Sequence, residues 1–300
     1  MKSRVEMGIK SVRGCLERVL GVRALMHIYD QIEHRSHPEE FLTEALDLLG
    51  VRAEIRSKDA ERISSSGPVV LVCNHPFGGL DGMLLAQMAL QVRRDVRILA
   101  NPVLGAFDEL RELFYFIRPY RDPESMRANV RATLEAMRWV QGGGMLIVFP
   151  AGEVSSFSWK RWRVQDREWD GSVARIVRKT RASVIPARIQ GRNGPWFQFA
   201  GMIHPSLRTL LLPREILNKR HAKIEIRIGK PIAFDKLPTE LSDRDLTAYL
   251  RLRSDLLLRR SGPAVASTKS TGHQRLAPHA GTQRIARDVD RLPPSQKLVE

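Results

Sequence analysis

The sequence predicts an α/β fold with a largely parallel central sheet flanked by helices, preceded by N-terminal amphipathic helices and followed by a disordered C-terminal tail. Three observations carry this reading. Short, wholly apolar runs such as PVVLVC and MLIVFP are bounded by Gly or Pro, the pattern of strands buried on both faces. Between them lie longer segments with apolar residues every three or four positions, the pattern of helices that bury one face. The two kinds alternate along the chain, as βαβ units require. The chain has 300 residues, 43% of them hydrophobic, enough for one large domain or two small ones. The expected division is a helical, membrane-interfacial segment at 1–50, a main domain at 51–260 and a tail at 261–300.

Residues 10–32 place Val12, Leu16, Val19, Leu20, Leu25, Met26 and Ile28 on a rough helical stripe, with Arg13, Arg18 and Arg23 beside it. Such a helix either packs on the domain or lies in a membrane interface. A second helix is expected over Pro38–Leu49, stopped by Gly50. Ser64 to Pro68 reads as a loop, and PVVLVC as a buried strand that ends directly at Asn74 and His75. A helix from Asp81 to Leu90 and a strand from Val96 to Ala100 follow. Over 124–141 the spacing of Met126, Val130, Leu134, Met137 and Val140 predicts one buried face, with Arg127, Arg131 and Arg138 left to solvent. The glycines at 142–144 end that helix, and strands are expected at 145–150, 183–189 and 223–229. From Ser261 the chain turns to Ser, Thr, Gly, Pro, His and Gln, the composition of disorder.

The net charge is +16, and the tail holds only six Lys or Arg against three acids, so most of that charge belongs to residues 1–260. Such a surface attracts nucleic acid, anionic lipid headgroups or the phosphates of a soluble ligand. Two cysteines, Cys15 and Cys73, form neither a disulfide framework nor a metal-ligand spacing, which fits a reducing cytoplasm and no bound metal. No run of 18 apolar residues occurs, and MKSRVEMGIK is not followed by the apolar core of a signal peptide. Neither a transmembrane helix nor a signal peptide is expected.

In parallel α/β sheets ligands meet the carboxyl ends of strands, where PVVLVC presents His75. Imidazole titrates nearest neutrality, so it can take a proton from a hydroxyl, and a carboxylate on its other nitrogen would fix the tautomer. Asp81 is the candidate carboxylate; the alternative is that Asp81 caps the following helix and His75 hydrogen-bonds within the loop. Gly78 and Gly79 between them permit a tight return and a close approach of backbone to ligand. There is no G-x-S-x-G elbow, and no serine or cysteine pairs with the histidine, so a covalent acyl-enzyme is not indicated.

Asn74-His75-Pro-Phe-Gly-Gly-Leu-Asp81 resembles the first motif, Asn-His-x4-Asp, of the glycerolipid (lysophospholipid) acyltransferases related to 1-acylglycerol-3-phosphate acyltransferase, with one additional loop residue. Its form is similar to a bacterial subgroup called hemolysin-like, associated with lyso-ornithine-lipid acylation. Phe114 to Arg118, FYFIR, is similar to the second motif, which implies that Phe116 and Arg118 bind the acceptor. Phe149 to Ser155, FPAGEVS, resembles the third motif, FPEGTRS, and implies roles for Pro150, Gly152 and Glu153; Ala151 stands for its Glu, and Glu153 and Val154 for its Thr and Arg. The lost arginine hints at a headgroup other than glycerol phosphate. Val184 to Ile189 resembles the fourth motif, which implies that Pro186 lines the donor site; Arg188 or Arg192 could bind phosphate.

The resemblance implies that His75 deprotonates a lysolipid hydroxyl, which attacks the thioester of acyl-CoA or acyl carrier protein, with Asp81 steadying the ring and no cofactor bound. Backbone N–H groups of Gly78, Gly79 or Gly152 are candidates to hold the oxyanion. Partners would be the lysolipid, the acyl donor and an anionic membrane surface, at the cytoplasmic face of an inner membrane. Trp159, Trp162 and Trp169, interleaved with Lys160, Arg161, Arg163 and Arg167, form either a headgroup-seeking patch or a packed loop. Two other readings stand beside this one: a catalytically inactive lipid-binding relative, and a single-strand nucleic-acid binder built on SWKRWRVQDREW. No RNP, KH or zinc-finger pattern accompanies the second, so nucleic acid is not an expected partner.

Overall fold

A computed structural model describes residues 20–33, 36–118 and 122–259. Apart from a single turn at Ser57–Ala60, its α-helices are α1 (Val22–Asp30), α2 (Pro38–Leu49), α3 (Gly79–Leu90), α4 (Pro123–Gln141), α5 (Ser172–Thr180), α6 (Pro195–Ile203), α7 (Pro205–Leu217) and α8 (Asp243–Asp255). Its strands are β1 (Arg52–Ile55), β2 (Val69–Cys73), β3 (Val96–Ala100), β4 (Phe114–Phe116), β5 (Met145–Val148), β6 (Ser156–Ser158), β7 (Arg163–Gln165), β8 (Ser183–Ile189) and β9 (Lys223–Ile228). Seven strands form one sheet in the order β1-β9-β8-β2-β5-β3-β4, with every neighbouring pair parallel except β8 with β9. β6 and β7 make a separate antiparallel ribbon.

β2 lies in the middle, and all five of its residues are buried. Their alternation divides the core. Val69, Leu71 and Cys73 face a layer containing α2 and α3, while Val70 and Val72 face Ala136 and Val140 of α4, Val173 and Val177 of α5, and Leu250 of α8. Burying one such Leu or Val contributes about 1.5–3 kcal/mol, so a polar residue anywhere in β2 would meet a packed helix layer. Because β2, β5 and β3 run parallel, the chain leaves all three at the same sheet edge, and the segments after them converge there.

The expected strands all form, and the helix over Pro38–Leu49 ends at Gly50, left-handed at φ 66°. Strands β1, β4, β6 and β7 and helices α5 to α8 were not anticipated: the strands are three or four residues long, and α6 carries apolar residues around most of its circumference. One expectation is corrected. Met126, Val130 and Leu134 of α4 are exposed, while Ala136 and Val140 are buried. The 19-residue helix is about 28 Å long, whereas the strands it covers, β4 and β5, span about 10–14 Å, so only its C-terminal turns reach the core. The described part of the first predicted helix packs on the domain through Ile28, and Tyr29 donates a 2.8 Å hydrogen bond to Glu109. Val12, Leu16 and Val19 of that stripe, and the tail at 261–300, lie outside the described residues.

Candidate active site

Where β2 ends, Asn74 points its amide at β8: Nδ2 donates to the Ile189 carbonyl at 2.9 Å, and Oδ1 accepts from the Ile189 N–H at 2.8 Å. Both ends of the side chain are thus occupied by backbone, and Asn74 acts as a clamp that fixes the position of the next residue, His75.

The imidazole Nδ1 of His75 lies 2.9 Å from Oδ2 of Asp81, a hydrogen-bonding distance, although the ring is canted off the ideal line. The ring stacks on Phe149, with centroids 4.2 Å apart at 27°, and keeps 19% of its side chain exposed. Asp81 is wholly buried in the first turn of α3, and the same Oδ2 accepts the N–H groups of Phe77 at 2.8 Å and Gly78 at 2.9 Å. Capping and histidine pairing are therefore one arrangement, served by one oxygen. The positive end of the α3 dipole favours a carboxylate here, but burial outweighs it: desolvation raises the Asp81 pKa, partly offset by His75 and the two N–H groups. Oδ1 of Asp81 is buried without a partner.

In the loop between His75 and Asp81, Gly78 takes a φ of 92° and a ψ of −130°, which suit glycine almost alone. A methyl group there would stand 2.9 Å from Leu212 of α7 and 3.3 Å from Val154. Gly79, the first residue of α3, faces Leu104 of the turn after β3. On the other side of that turn Phe116 packs against Gly105. The site thus has an apolar rim made from three strand-following loops and α7.

The oxyanion candidates sort themselves. The N–H of Gly78 is bound to Asp81 and that of Gly152 to the Phe149 carbonyl at 3.0 Å, so both of these donors are engaged. The helix start leaves the Gly79 N–H without an intrahelical partner. Gly152 itself is exposed at φ 68°, with open space where a side chain would stand.

Other predicted residues fall elsewhere. Glu153 is held by two arginines, Arg167 and Arg208, the latter at 2.6 Å and only 8% exposed. Its carboxylate is therefore already engaged, by Arg167 and by Arg208 of α7. Arg118 is paired with Glu124 at 2.9 Å and has its backbone pinned by Asn129, outside the histidine cluster. Arg188 is paired with Asp255 of α8. Pro150 is buried, and its carbonyl accepts from Asp170 at 2.8 Å. Pro186 is buried in β8 against Gly229. Trp159 and Trp162 are exposed but Trp169 is buried, which removes it from the proposed patch. Arg192 is exposed. Cys73 is buried and its pKa lies well above the ordinary thiol value, by desolvation first and then by Asp81, so it stays a thiol.

Asp166 was missed. It is buried, accepts the His75 N–H at 3.2 Å and the Ser155 hydroxyl, and receives the Trp169 indole N–H at 2.9 Å. The Ser155 N–H in turn holds the His75 carbonyl at 2.8 Å. Asp166 thus fixes the backbone of the histidine through the loop after β5. Its only sequence signal is Trp169 three residues later, within a polar stretch that has no periodicity.

The protein-family model described as "Acyltransferase" matches residues 16–262. Among curated proteins, the chain is 29% identical over 210 residues to a lyso-glycine lipid O-acyltransferase of Phocaeicola vulgatus, covering 67% of this chain and 72% of that one. It is 27% identical over 229 residues to a protein of the same name from Bacteroides thetaiotaomicron, covering 70% of this chain and 82% of that one. A solved structure, the 1-acyl-sn-glycerophosphate acyltransferase PlsC of Thermotoga maritima, aligns with a TM-score of 0.49 and 20% identity over 75% of this chain and 80% of that one.

Proposed function

Because the chain belongs to the acyltransferase family, we propose that it moves a fatty acyl group from acyl-CoA or acyl carrier protein to the free hydroxyl of a lysolipid whose headgroup is an amino acid. The observation that carries the reading is the 2.9 Å approach of His75 Nδ1 to a wholly buried Asp81 at the carboxyl end of the central strand. In this arrangement Nδ1 keeps its proton toward Asp81, and the bare Nε2 accepts the proton of the lysolipid hydroxyl. The hydroxyl oxygen then forms a bond to the thioester carbonyl carbon, and the carbonyl oxygen becomes an oxyanion for the Gly79 N–H to bind. Collapse breaks the C–S bond, and the thiolate takes the proton back from the imidazolium. The products are an ester and a free thiol.

Two features support an amino-acid headgroup. The relatives are named for lyso-glycine lipid, and Val154 stands where the third motif has the arginine that would meet glycerol phosphate. On this reading the enzyme meets its lipid as a peripheral protein at the cytoplasmic face of a membrane; no helix among the described residues is long and apolar enough to cross one. The test supplies acyl-CoA or acyl carrier protein loaded with labelled acyl chain to lyso-glycine lipid, lyso-ornithine lipid and lysophosphatidic acid. Wild type should favour the amino-acid lipids, and His75→Ala should lose about 10²–10⁴ of turnover. Equal turnover by both proteins would remove the proposed base, and preference for lysophosphatidic acid would remove the acceptor.

A further inference from the structure

Helices α6 and α7 form a hairpin with the wrong surface for water. Trp196 (71% exposed), Phe199, Met202, Ile203, Leu207 and Leu210 all stand out of it. Beside it the β6–β7 ribbon raises Trp159 (64%) and Trp162 (72%), which pack on each other at 5.5 Å and on Phe157 beneath. Trp162 holds a left-handed φ of 50°, rare for a bulky residue. The two elements are tied together: the Phe157 N–H donates to Gln198 of α6 at 3.0 Å. They form one surface.

Within the two segments that build this surface the exposed charge has one sign. Residues 156–163 carry Lys160, Arg161 and Arg163 and no acid. Arg161 and Arg163 share the neutral partner Gln165, so their charge is not cancelled. Across 191–220 the single acid, Glu215, is buried, while Arg192, Arg214 and Arg220 are exposed. Tryptophan among Lys and Arg over an apolar patch matches an anionic headgroup layer, where indole rings settle and each basic residue adds attraction. The same surface borders the chemistry, because Leu212 of α7 approaches Gly78 within the His75–Asp81 loop.

We propose that this α6–α7 and β6–β7 face docks on an anionic lipid bilayer and opens the His75 site toward it. The proposal rests on the lysolipid reading above for its purpose, while its test does not require turnover.

The experiment sediments the full-length protein with phosphatidylcholine vesicles, with or without roughly 30 mol% phosphatidylglycerol. Wild type should bind the anionic vesicles and hardly the neutral ones. Trp159→Ser/Trp162→Ser/Trp196→Ser, checked for unchanged thermal unfolding, should lose binding by about tenfold or more. Should that variant fold poorly, Lys160→Glu/Arg161→Glu, which alters only exposed charge, should give a loss in the same direction. As controls, Met126→Ser/Val130→Ser on α4 and the proposed base variant His75→Ala should bind as wild type, so a failure of the catalytic reading leaves the docking result intact. Undiminished vesicle binding by both face variants overturns the proposal. If those variants instead lose concentration-dependent self-association or capture of acyl carrier protein, the face belongs to a second copy or to the donor.

Discussion

At Asp81 stability and chemistry pull in opposite directions. The carboxyl is buried, and its pKa is raised because desolvation outweighs the lowering influence of nearby His75 and of the Phe77 and Gly78 N–H groups. A raised folded pKa means that the fold binds this proton more tightly than the unfolded chain does. The resulting stabilisation is complete below the ordinary carboxylate range and is lost as pH rises through the folded value. Above the ordinary carboxylate range this buried group therefore weakens the fold. Asp81→Asn keeps an acceptor for the Phe77 and Gly78 N–H groups without the charge. The variant should equal or exceed wild type in unfolding free energy near neutrality, and its advantage should shrink as pH falls from about 8 to about 4. Turnover should fall by about 10²–10⁴, as expected when a histidine loses the partner that orients it. Denaturant titrations across that range check the first outcome, and a variant that is markedly weaker at neutral pH would show that the carboxylate is structural. His75 and Asp81 were legible in the sequence because they lie within one loop, where spacing alone brings side chains together. Asp166 was not legible, since 91 residues separate it from the backbone N–H it accepts. Arg208 likewise reaches Glu153 from a helix that sequence periodicity did not reveal.

At the scale of elements, strands and helices were legible wherever both their length and their burial were strong. β2 and β5 read clearly because every residue is buried, whereas β4 and the β6–β7 ribbon are half-exposed runs of three that leave no pattern. The stripe on α4 misled for a different reason: periodicity reports which face is apolar, not how far the sheet extends beneath it. The loop from β2 to α3 turns at Gly78, in a backbone conformation that a side chain would strain, and directly beneath Leu212 and Val154. Gly78→Ala should therefore destabilise the fold by about 1–3 kcal/mol through strain. It should also lower turnover by more than that loss of folded protein explains, because the displaced loop carries Asp81 away from the ring. Thermal unfolding together with steady-state kinetics on the folded fraction tests this. Wild-type kinetics in a folded Gly78→Ala variant would show that the loop tolerates other shapes.

For the whole molecule, the net charge of +16 and the exposed aromatic face act over different distances, and that difference separates attraction from anchoring. Charge works through solvent and is screened beyond about 10 Å at 0.1 M salt. Apolar insertion is contact-limited and strengthens slightly as salt rises. If the enzyme meets its lipid on an anionic bilayer, raising salt from about 0.05 M to about 0.5 M should lower its binding to phosphatidylglycerol vesicles and its turnover of acceptor presented in them, by several-fold each. Turnover of a short-chain lysolipid dissolved below its micelle concentration should change little over the same range, because His75 and Asp81 lie close together, with Asp81 shielded from solvent. Parallel assays on the two forms of acceptor make the comparison. A salt effect of equal size on both would locate the sensitivity in the active site itself, and the surface charge would then have no part in bringing enzyme to substrate.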